Sequence, residues 1–297
     1  MSPAKAEASR TLTGIALATC GWAAFSAQDA IVKWLVVKLP VPEVLFARSV
    51  TIVALASLVV RRADLKSMME RRNFVAVGLR GLLIFVAWVA YYSASRSLQL
   101  AELVTLYFAA PLFVVAMSNP VLGEIVGPWR WLATIIGFGG VLIAADLSAA
   151  PDVWPALLAL FAALCWAGTT ILARSLSQAV STAALMVGSN LLFVVACGFA
   201  APFVFVWPDA FSLGLIVVLG VVGALGQFFL FEGLRRAPAS ALAPFEYTSL
   251  AWAIFWGWTI FHDLPTRHVL VGAAIILGSG LFMLFIEGRR RVIAARA

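Results

Sequence analysis

The chain has 297 residues, of which 63% are hydrophobic and only 12% are charged, and its mean hydropathy is +1.01. A soluble domain of this length would be about half apolar and roughly a quarter charged, so the composition excludes a soluble globular protein and indicates a surface covered mostly by lipid. The formal net charge of +7 gives no indication of a nucleic-acid partner, because in a membrane protein the location of the positive residues carries the information.

The sequence predicts ten membrane-spanning helices, each long enough for a hydrocarbon core about 30 Å thick. The first follows Lys5 and Arg10 and lacks a small-residue cleavage pattern, so we expect it to be retained rather than removed as a signal peptide. The short break "RSLQL" separates spans three and four, and joining them would give nine spans without internal symmetry. The expected spans are 11–34, 42–61, 73–96, 102–122, 128–147, 153–175, 182–206, 211–234, 239–260 and 266–286.

The positive residues predict the orientation of the chain. If the N-terminus lies inside the cell, fifteen Lys and Arg residues lie on the inner side and four on the outer side, while Arg48 and Arg80 lie within spans. Cytoplasmic loops carry an excess of Lys and Arg, so we expect both termini in the cytoplasm and the chain in the inner membrane.

The second half of the chain repeats the pattern of the first. Residues 95–124 align without gaps on residues 234–263, and "CGWAAF" near the start of span one has a partner in "LCWAGT" near the start of span six. Each unit holds five spans, an odd number, so the second unit must insert upside down relative to the first. We therefore expect an all-α polytopic membrane protein of two inverted five-helix repeats, 1–149 and 150–297, an arrangement typical of secondary transporters.

Each half resembles an EamA-type unit of the drug/metabolite transporter superfamily. The resemblance is carried by Trp22 and Trp166 early in the first helix of each unit, by "VLGE" and "IFHD" at the end of the fourth, and by a Gly-rich fifth helix. Asp263 and His262 depart from the pattern, which usually has Glu and Gly there. The overall likeness implies the branch that exports aromatic and other neutral amino acids.

Four ionisable residues lie within the spans, where each costs roughly 2.5–3.5 kcal/mol on insertion scales. Counting along the helices places Asp29 and Arg48 in the outer part of the membrane and Arg80 and Glu246 in the inner part. They form either two structural ion pairs or contacts to a zwitterionic solute. Pro244 favours a functional role for Glu246, because it disrupts the local helix, and irregular backbone at membrane depth is tolerated where it lines a cavity.

Several uncharged residues are candidates for the same pathway. Tyr107 occupies the repeat position of Glu246, Trp88 and Tyr92 share one face of span three, and Gln227 is the repeat partner of Trp88. The glycines near Gln227 indicate tight helix packing. The predicted substrate-binding residues are Trp22, Asp29, Trp88, Tyr92, Tyr107, Trp166, Gln227 and Glu246.

The expected function is a secondary transporter that exports small organic solutes, most of all aromatic and other neutral amino acids, by alternating access through a central cavity. The alternatives are an exporter of drugs or other hydrophobic metabolites, an intramembrane enzyme or a channel. An enzyme is disfavoured because His262 and His268 share one outer loop, and no nucleotide-binding motif is present. No catalytic residue, metal site or cofactor is expected, the three cysteines are expected as free thiols, and the expected assembly is a monomer in the bilayer without nucleic acid.

Overall fold

The computed structural model describes residues 3–61, 66, 68–122, 128–146, 153–176, 180–237, 242 and 245–294, and every regular element in these ranges is an α-helix. The helices of the first repeat are α1 (Pro3–Lys38), α2 (Val41–Ser57), α3 (Arg71–Ala94), α4 (Leu100–Tyr107), α5 (Ala109–Leu122) and α6 (Pro128–Ala145). Those of the second repeat are α7 (Trp154–Leu176), α8 (Thr182–Val204), α9 (Ala210–Arg236), α10 (Thr248–Phe261) and α11 (Arg267–Ala294). The predicted boundary between residues 149 and 150 lies outside the described residues.

The fourth span consists of two helices, because α4 ends at Tyr107 and α5 begins at Ala109. Pro111 explains this break: it has no N–H to donate to the carbonyl group of Tyr107, four residues earlier. With α4 and α5 taken as one span, the described helices give ten transmembrane segments in the predicted order. Five helical stretches within the described ranges are long and apolar enough to cross a membrane, and three shorter helices are also apolar.

The second repeat has a turn at the equivalent position. Tyr247 forms a turn immediately before α10, and it aligns with Phe108 at the same offset that aligns residues 95–124 with 234–263. The rings of Phe108 and Tyr247 contact each other, with centroids 5.4 Å apart at an interplanar angle of 69°. Two repeat-equivalent residues therefore meet at the centre of the bundle. Pro244, which the sequence associates with a disrupted helix here, lies outside the described residues.

Helix packing follows a two-fold pattern in which each helix of the first repeat contacts a helix of the second. Helix α1 packs on α9, and α3 packs on α7. Because α1 is equivalent to α7 and α3 is equivalent to α9, these two contacts are related by the symmetry of the repeats. The pairs α2–α8, α6–α11 and α4–α10 each join equivalent helices of the two repeats. The predicted fold class, an all-α polytopic membrane protein of two inverted five-helix repeats, is confirmed.

Glycines allow the closest of these helix contacts. A Cβ atom added at Gly140 of α6 would lie 2.9 Å from the carbonyl oxygen of Gly272 in α11, and one added at Gly14 of α1 would lie 3.0 Å from that of Gly233 in α9. Small residues let helix backbones approach in membranes, where burial of apolar surface gives little drive for association. In the α1–α9 and α6–α11 pairs the two helix backbones are therefore in direct contact.

Candidate functional site

An aromatic cavity, here called cavity A, lies between the two repeats and has a volume of about 80 Å³. Residues of α1, α3, α4 and α7 line it, together with the turn at Phe108 and the start of α10 with the residues before it. Its aromatic residues are Trp22, Phe25, Trp88, Tyr91, Tyr107, Phe108 and Trp166. Ser26, Asp29, Ala87, Val104, Glu246 and Ser249 complete the lining.

Two carboxylates face this aromatic cavity. The hydroxyl group of Tyr91 donates a hydrogen bond to Oδ2 of Asp29 over 3.1 Å. Glu246 also lines cavity A, and within the described residues its side chain has no hydrogen-bonding or ionic partner. Because an unpaired charge at membrane depth is costly, such a carboxylate is typical of a group that contacts solute, water or a transported proton.

The rings around the cavity contact one another across both repeats. Tyr91 packs edge-on against Tyr107 with centroids 5.0 Å apart, and Tyr107 packs at 6.2 Å against Trp166 of the second repeat. Trp88 packs edge-on against both Tyr91 and Tyr92, at 6.0 Å and 5.2 Å. These contacts fix the positions of the rings and leave their remaining faces for a flat ligand.

A second cavity, here called cavity B, adjoins cavity A and has a volume of about 200 Å³. The two cavities share Phe25, Trp88 and Trp166, so these three rings lie between them. Cavity B extends toward the half of the bundle that contains the N-terminal end of α1. Its polar lining consists of Arg48, Arg80, Thr169, Thr170, Ser189, Asn190 and Gln227.

The two arginines of cavity B are held differently. Arg48 is buried, its Nε donates to Oε1 of Gln28 over 3.1 Å, and its guanidinium carbon lies 4.6 Å from the ring centroid of Trp88. Arg80 is also buried, and its Nη1 donates to Oγ of Ser189 over 3.1 Å. Arg48 therefore has a cation–π contact as well as a hydrogen bond, whereas Arg80 has one neutral hydrogen-bonding partner.

The direct ion pairs considered from the sequence are not formed. Neither Asp29 with Arg48 nor Arg80 with Glu246 comes within ion-pair distance, and all four residues are among those described. The carboxylates line cavity A and the guanidinium groups line cavity B. Arg48 is near enough to Asp29 for their charges to interact without direct contact. The charges are thus separated along the pathway rather than paired.

Seven of the eight predicted site residues line at least one of the two cavities. Trp22, Asp29, Tyr107 and Glu246 line cavity A, Gln227 lines cavity B, and Trp88 and Trp166 line both. Tyr92 is the exception: it is fully buried, lines neither cavity, and packs against the ring of Trp88. Its neighbour Tyr91 lines cavity A.

Sequence reasoning also missed several lining residues. Phe25, Ser26 and Tyr91 carry no charge, and residue type alone does not distinguish them from the other Phe, Ser and Tyr residues of the spans. Phe108 could have been identified, since it precedes Pro111 and aligns with Tyr247. Ser189 has no sequence signal, because only the packing of α3 near α8 brings it to Arg80.

Polar contacts join the repeats at the face opposite the N-terminus. Nζ of Lys33 in α1 lies 3.0 Å from Oδ2 of Asp263 and 4.8 Å from the ring centroid of Phe261. The backbone N–H of Val206 donates to Oε2 of Glu43 over 3.0 Å. Asp263 thus joins the two repeats across this face.

Nδ1 of His268 lies 3.0 Å from Oδ2 of Asp146, a further contact between the repeats. No group of three potential metal ligands occurs within the described ranges. His268, in the first turn of α11, therefore has a protein partner, and neither His262 nor His268 belongs to a group of potential metal ligands within the described ranges.

An inverted ten-helix bundle with a central aromatic cavity defines a class of multi-pass membrane transporters. Family comparison agrees: residues 12–145 and 153–285 each match the EamA-like transporter family. The chain belongs to that family, and it is a transporter of small solutes rather than an enzyme. The predicted resemblance is confirmed in both halves.

Curated relatives of nearly the same length carry transporter names. The chain is 30% identical over 296 residues to a riboflavin transporter of Rhizobium johnstonii, with 96% of this chain and 95% of the relative covered. It is 29% identical over 280 residues to an S-adenosylmethionine uptake transporter of Rickettsia conorii, with coverage of 93% and 94%. It is 28% identical over 270 residues to a pseudopaline exporter of Pseudomonas aeruginosa, with coverage of 89% and 93%.

A solved crystal structure of a protein that is 18% identical superimposes with a TM-score of 0.64. The match covers 95% of this chain and 98% of the other. At this level of identity the comparison shows the fold alone.

Proposed function

We propose that this protein transports small organic solutes that combine a flat ring with a positively charged group, and that aromatic amino acids are the first candidates. The observation that carries the proposal is the composition of cavity A, in which seven aromatic side chains surround two carboxylates. The proposal includes export across the inner membrane, both termini in the cytoplasm, and alternating access by a monomer.

The chemistry of cavity A fits such a solute. Each aromatic pair contributes roughly 0.5–1.5 kcal/mol beyond the burial of area, so stacking against Trp88 or Trp166 favours a flat side chain. An ammonium group gains from the faces of the rings and from the carboxylates of Asp29 and Glu246. Glu246 has no side-chain partner among the described residues, so a ligand that binds it displaces none of them, which lowers the cost of binding.

Larger ring-bearing metabolites are the second candidates. Two relatives are named for riboflavin and S-adenosylmethionine, and both compounds contain flat heteroaromatic rings. Cavity A alone is smaller than ligand sites of about 300–1,000 Å³, but cavity B adjoins it and extends the available space. A longer solute would occupy both cavities.

Transport by the purified protein in liposomes tests the proposal. Labelled phenylalanine, tryptophan, threonine, riboflavin and S-adenosylmethionine should be compared with and without a pH gradient, which separates proton coupling from facilitated diffusion. We expect the aromatic amino acids to exchange faster than threonine. Equal rates for threonine and the aromatic amino acids, or no transport of any ring-bearing solute, would contradict the proposal.

Two matched variants test the role of the cavity carboxylate. Glu246→Gln keeps the size of the side chain and removes a charge-assisted contact, so transport of the ammonium-bearing solutes should fall roughly ten- to hundredfold. Glu232→Gln makes the same change in a residue that lines neither cavity and should leave transport unchanged. Equal effects of the two variants on transport would show that Glu246 does not bind the transported solute.

A further inference from the structure

The charged residues that line cavity B, in the part of the chain that the structure describes, are all positive. Its charged lining residues are Arg48 and Arg80, and no Asp or Glu is present among its described lining residues. Cavity A has the opposite character, because its charged lining residues are Asp29 and Glu246. The charged lining residues are therefore negative on one side of the three shared rings and positive on the other.

Of the two arginines that line cavity B, Arg80 has fewer contacts that stabilise its charge than Arg48 has. Arg80 is 9% exposed, its Nη1 donates to the neutral hydroxyl of Ser189, and its Nε has no hydrogen-bonding partner among the described residues. No carboxylate of the described residues lies within ion-pair distance of it. A buried guanidinium without a counter-ion is expensive at membrane depth, so a functional partner is expected.

We propose that cavity B is an anion-binding site in which Arg80 binds the carboxylate of the transported solute. The planar guanidinium presents several N–H donors in a fixed fork that fits a carboxylate, and the hydrogen bond to Ser189 orients that fork. This inference rests on the proposed function, since it assigns the negative end of the solute to a second site on the same pathway.

The position of Arg80 along α3 determines how an amino acid uses the two sites. Arg80 lies eleven residues before Tyr91, about 16 Å along the helix axis, and Tyr91 contacts Asp29. An α-amino acid carries both charges on one carbon, so it cannot contact Asp29 and Arg80 together. It binds them in turn as it moves between the cavities, whereas a longer solute with a remote carboxylate spans both.

Removal of Arg80 tests the site with solutes that differ only in their charged groups. Phenylalanine has both charges and phenethylamine lacks the carboxylate. In liposomes of neutral lipid, Arg80→Gln should lower phenylalanine transport roughly ten- to hundredfold and leave phenethylamine within about twofold of the unsubstituted protein. Arg96→Gln, at the other end of the α3 segment and in contact with the carbonyl oxygen of Leu39, is the matched control and should change neither rate.

Stability measurements separate binding from a structural role of Arg80. Arg80→Gln breaks no ion pair of the described residues and removes a buried charge, so the melting temperature of the variant in detergent should be unchanged or higher. A lower melting temperature with equal loss of both solutes would overturn the proposal. Unchanged transport of phenylalanine by the variant would also overturn it.

A binding measurement keeps the test independent of the proposed function. The fluorescence of Trp88 and Trp166, which line both cavities, should respond to 3-phenylpropionate, a ring with a carboxylate and no ammonium group. The response should persist in Arg96→Gln and disappear in Arg80→Gln. If the protein transports neither phenylalanine nor phenethylamine but this pattern holds, the proposed substrate is wrong and the anion site stands.

Equal responses in Arg80→Gln and Arg96→Gln, or no response in the unsubstituted protein, would overturn the site. Repeating the titration with phosphatidylglycerol in the membrane identifies a lipid phosphate as a competing source of the anion. If this lipid abolishes the response to 3-phenylpropionate while Arg80→Gln leaves transport unchanged, Arg80 is a lipid-binding residue and the proposal fails.

Discussion

The ion pair between Lys33 and Asp263 should stabilise the state in which the face opposite the N-terminus is closed. Their charged atoms are 3.0 Å apart, the side chains are 11% and 31% exposed, and Lys33 also lies over the ring of Phe261. Lys38 at the end of α1 and Asp209 just before α9 also join the two repeats, but their atoms are 3.7 Å apart and both side chains are about half exposed. The two pairs therefore allow a matched comparison.

Burial determines the magnitude expected for each pair. An exposed ion pair typically contributes 0.2–1 kcal/mol, whereas a hydrogen bond to a charged group contributes about 1.5–3 kcal/mol. We assign about 1.5 kcal/mol to the Lys33 pair, which corresponds to roughly a tenfold change in the equilibrium between closed and open states. For the Lys38 pair, which is longer and more exposed, we expect the low end of the exposed range, about 0.2–0.4 kcal/mol, which is less than a twofold change.

Thiol labelling measures this equilibrium. Ser26→Cys places a reporter in cavity A, in a protein whose three native cysteines are replaced by serine. Vesicles of both orientations allow an impermeant maleimide to be applied from either face. Lys33→Met should raise the labelling rate from the face opposite the N-terminus about tenfold, and Lys38→Met should leave it nearly unchanged.

Asp263→Asn should have the same effect as Lys33→Met, and combining the two should add little, because both remove one interaction. Equal labelling rates for Lys33→Met and Lys38→Met would refute the argument from burial. An increase in labelling from the N-terminal face alone would refute the assignment of Lys33 to closure of the opposite face.

Three further outcomes follow from the packing, the charge distribution and the shared rings. Gly140→Val should destabilise the protein by about 1–3 kcal/mol in reversible unfolding, while Gly139→Val, where an added Cβ meets nothing within 4 Å, should be nearly neutral. Cysteines introduced at 61–72 should resist an impermeant thiol reagent outside intact cells, and those at 148–152 should react; the reverse pattern would overturn the predicted orientation. Trp88→Ala should reduce transport of phenylalanine relative to threonine by about two- to tenfold, whereas equal loss for both would indicate a folding defect.

The spans and the repeat could be predicted because hydropathy and spacing depend on the chain alone. Counting residues places Asp29 in the outer part of the membrane and Glu246 in the inner part, and it did not predict that the two carboxylates line one cavity. Their partners could not be predicted, because depth gives the height of a side chain in the membrane and says nothing of which neighbouring helix it faces. Tyr92 shows the same limit: it shares a helix face with Trp88, yet the adjacent Tyr91 contacts Asp29 and lines the cavity.

The separation of the carboxylates from the arginines could not be predicted from the sequence for a related reason. Arg80 and Glu246 lie at similar distances from a membrane face, which made a direct ion pair plausible. Their placement in different cavities depends on the packing of α3 near α8, which brings Ser189 to Arg80. Only the three-dimensional arrangement of the helices distinguishes paired charges from charges that line successive parts of a pathway.

The contact between Phe108 and Tyr247 places the approximate two-fold axis at the centre of the bundle. The residues just before them, Tyr107 and Glu246, are equivalent in backbone position and both line cavity A, but one is an aromatic hydroxyl and the other a carboxylate. A solute on this axis therefore meets two sides related by symmetry and unlike in charge. Under the proposed function, a solute with one charged end therefore has a single preferred orientation in cavity A, whichever face of the membrane it enters from.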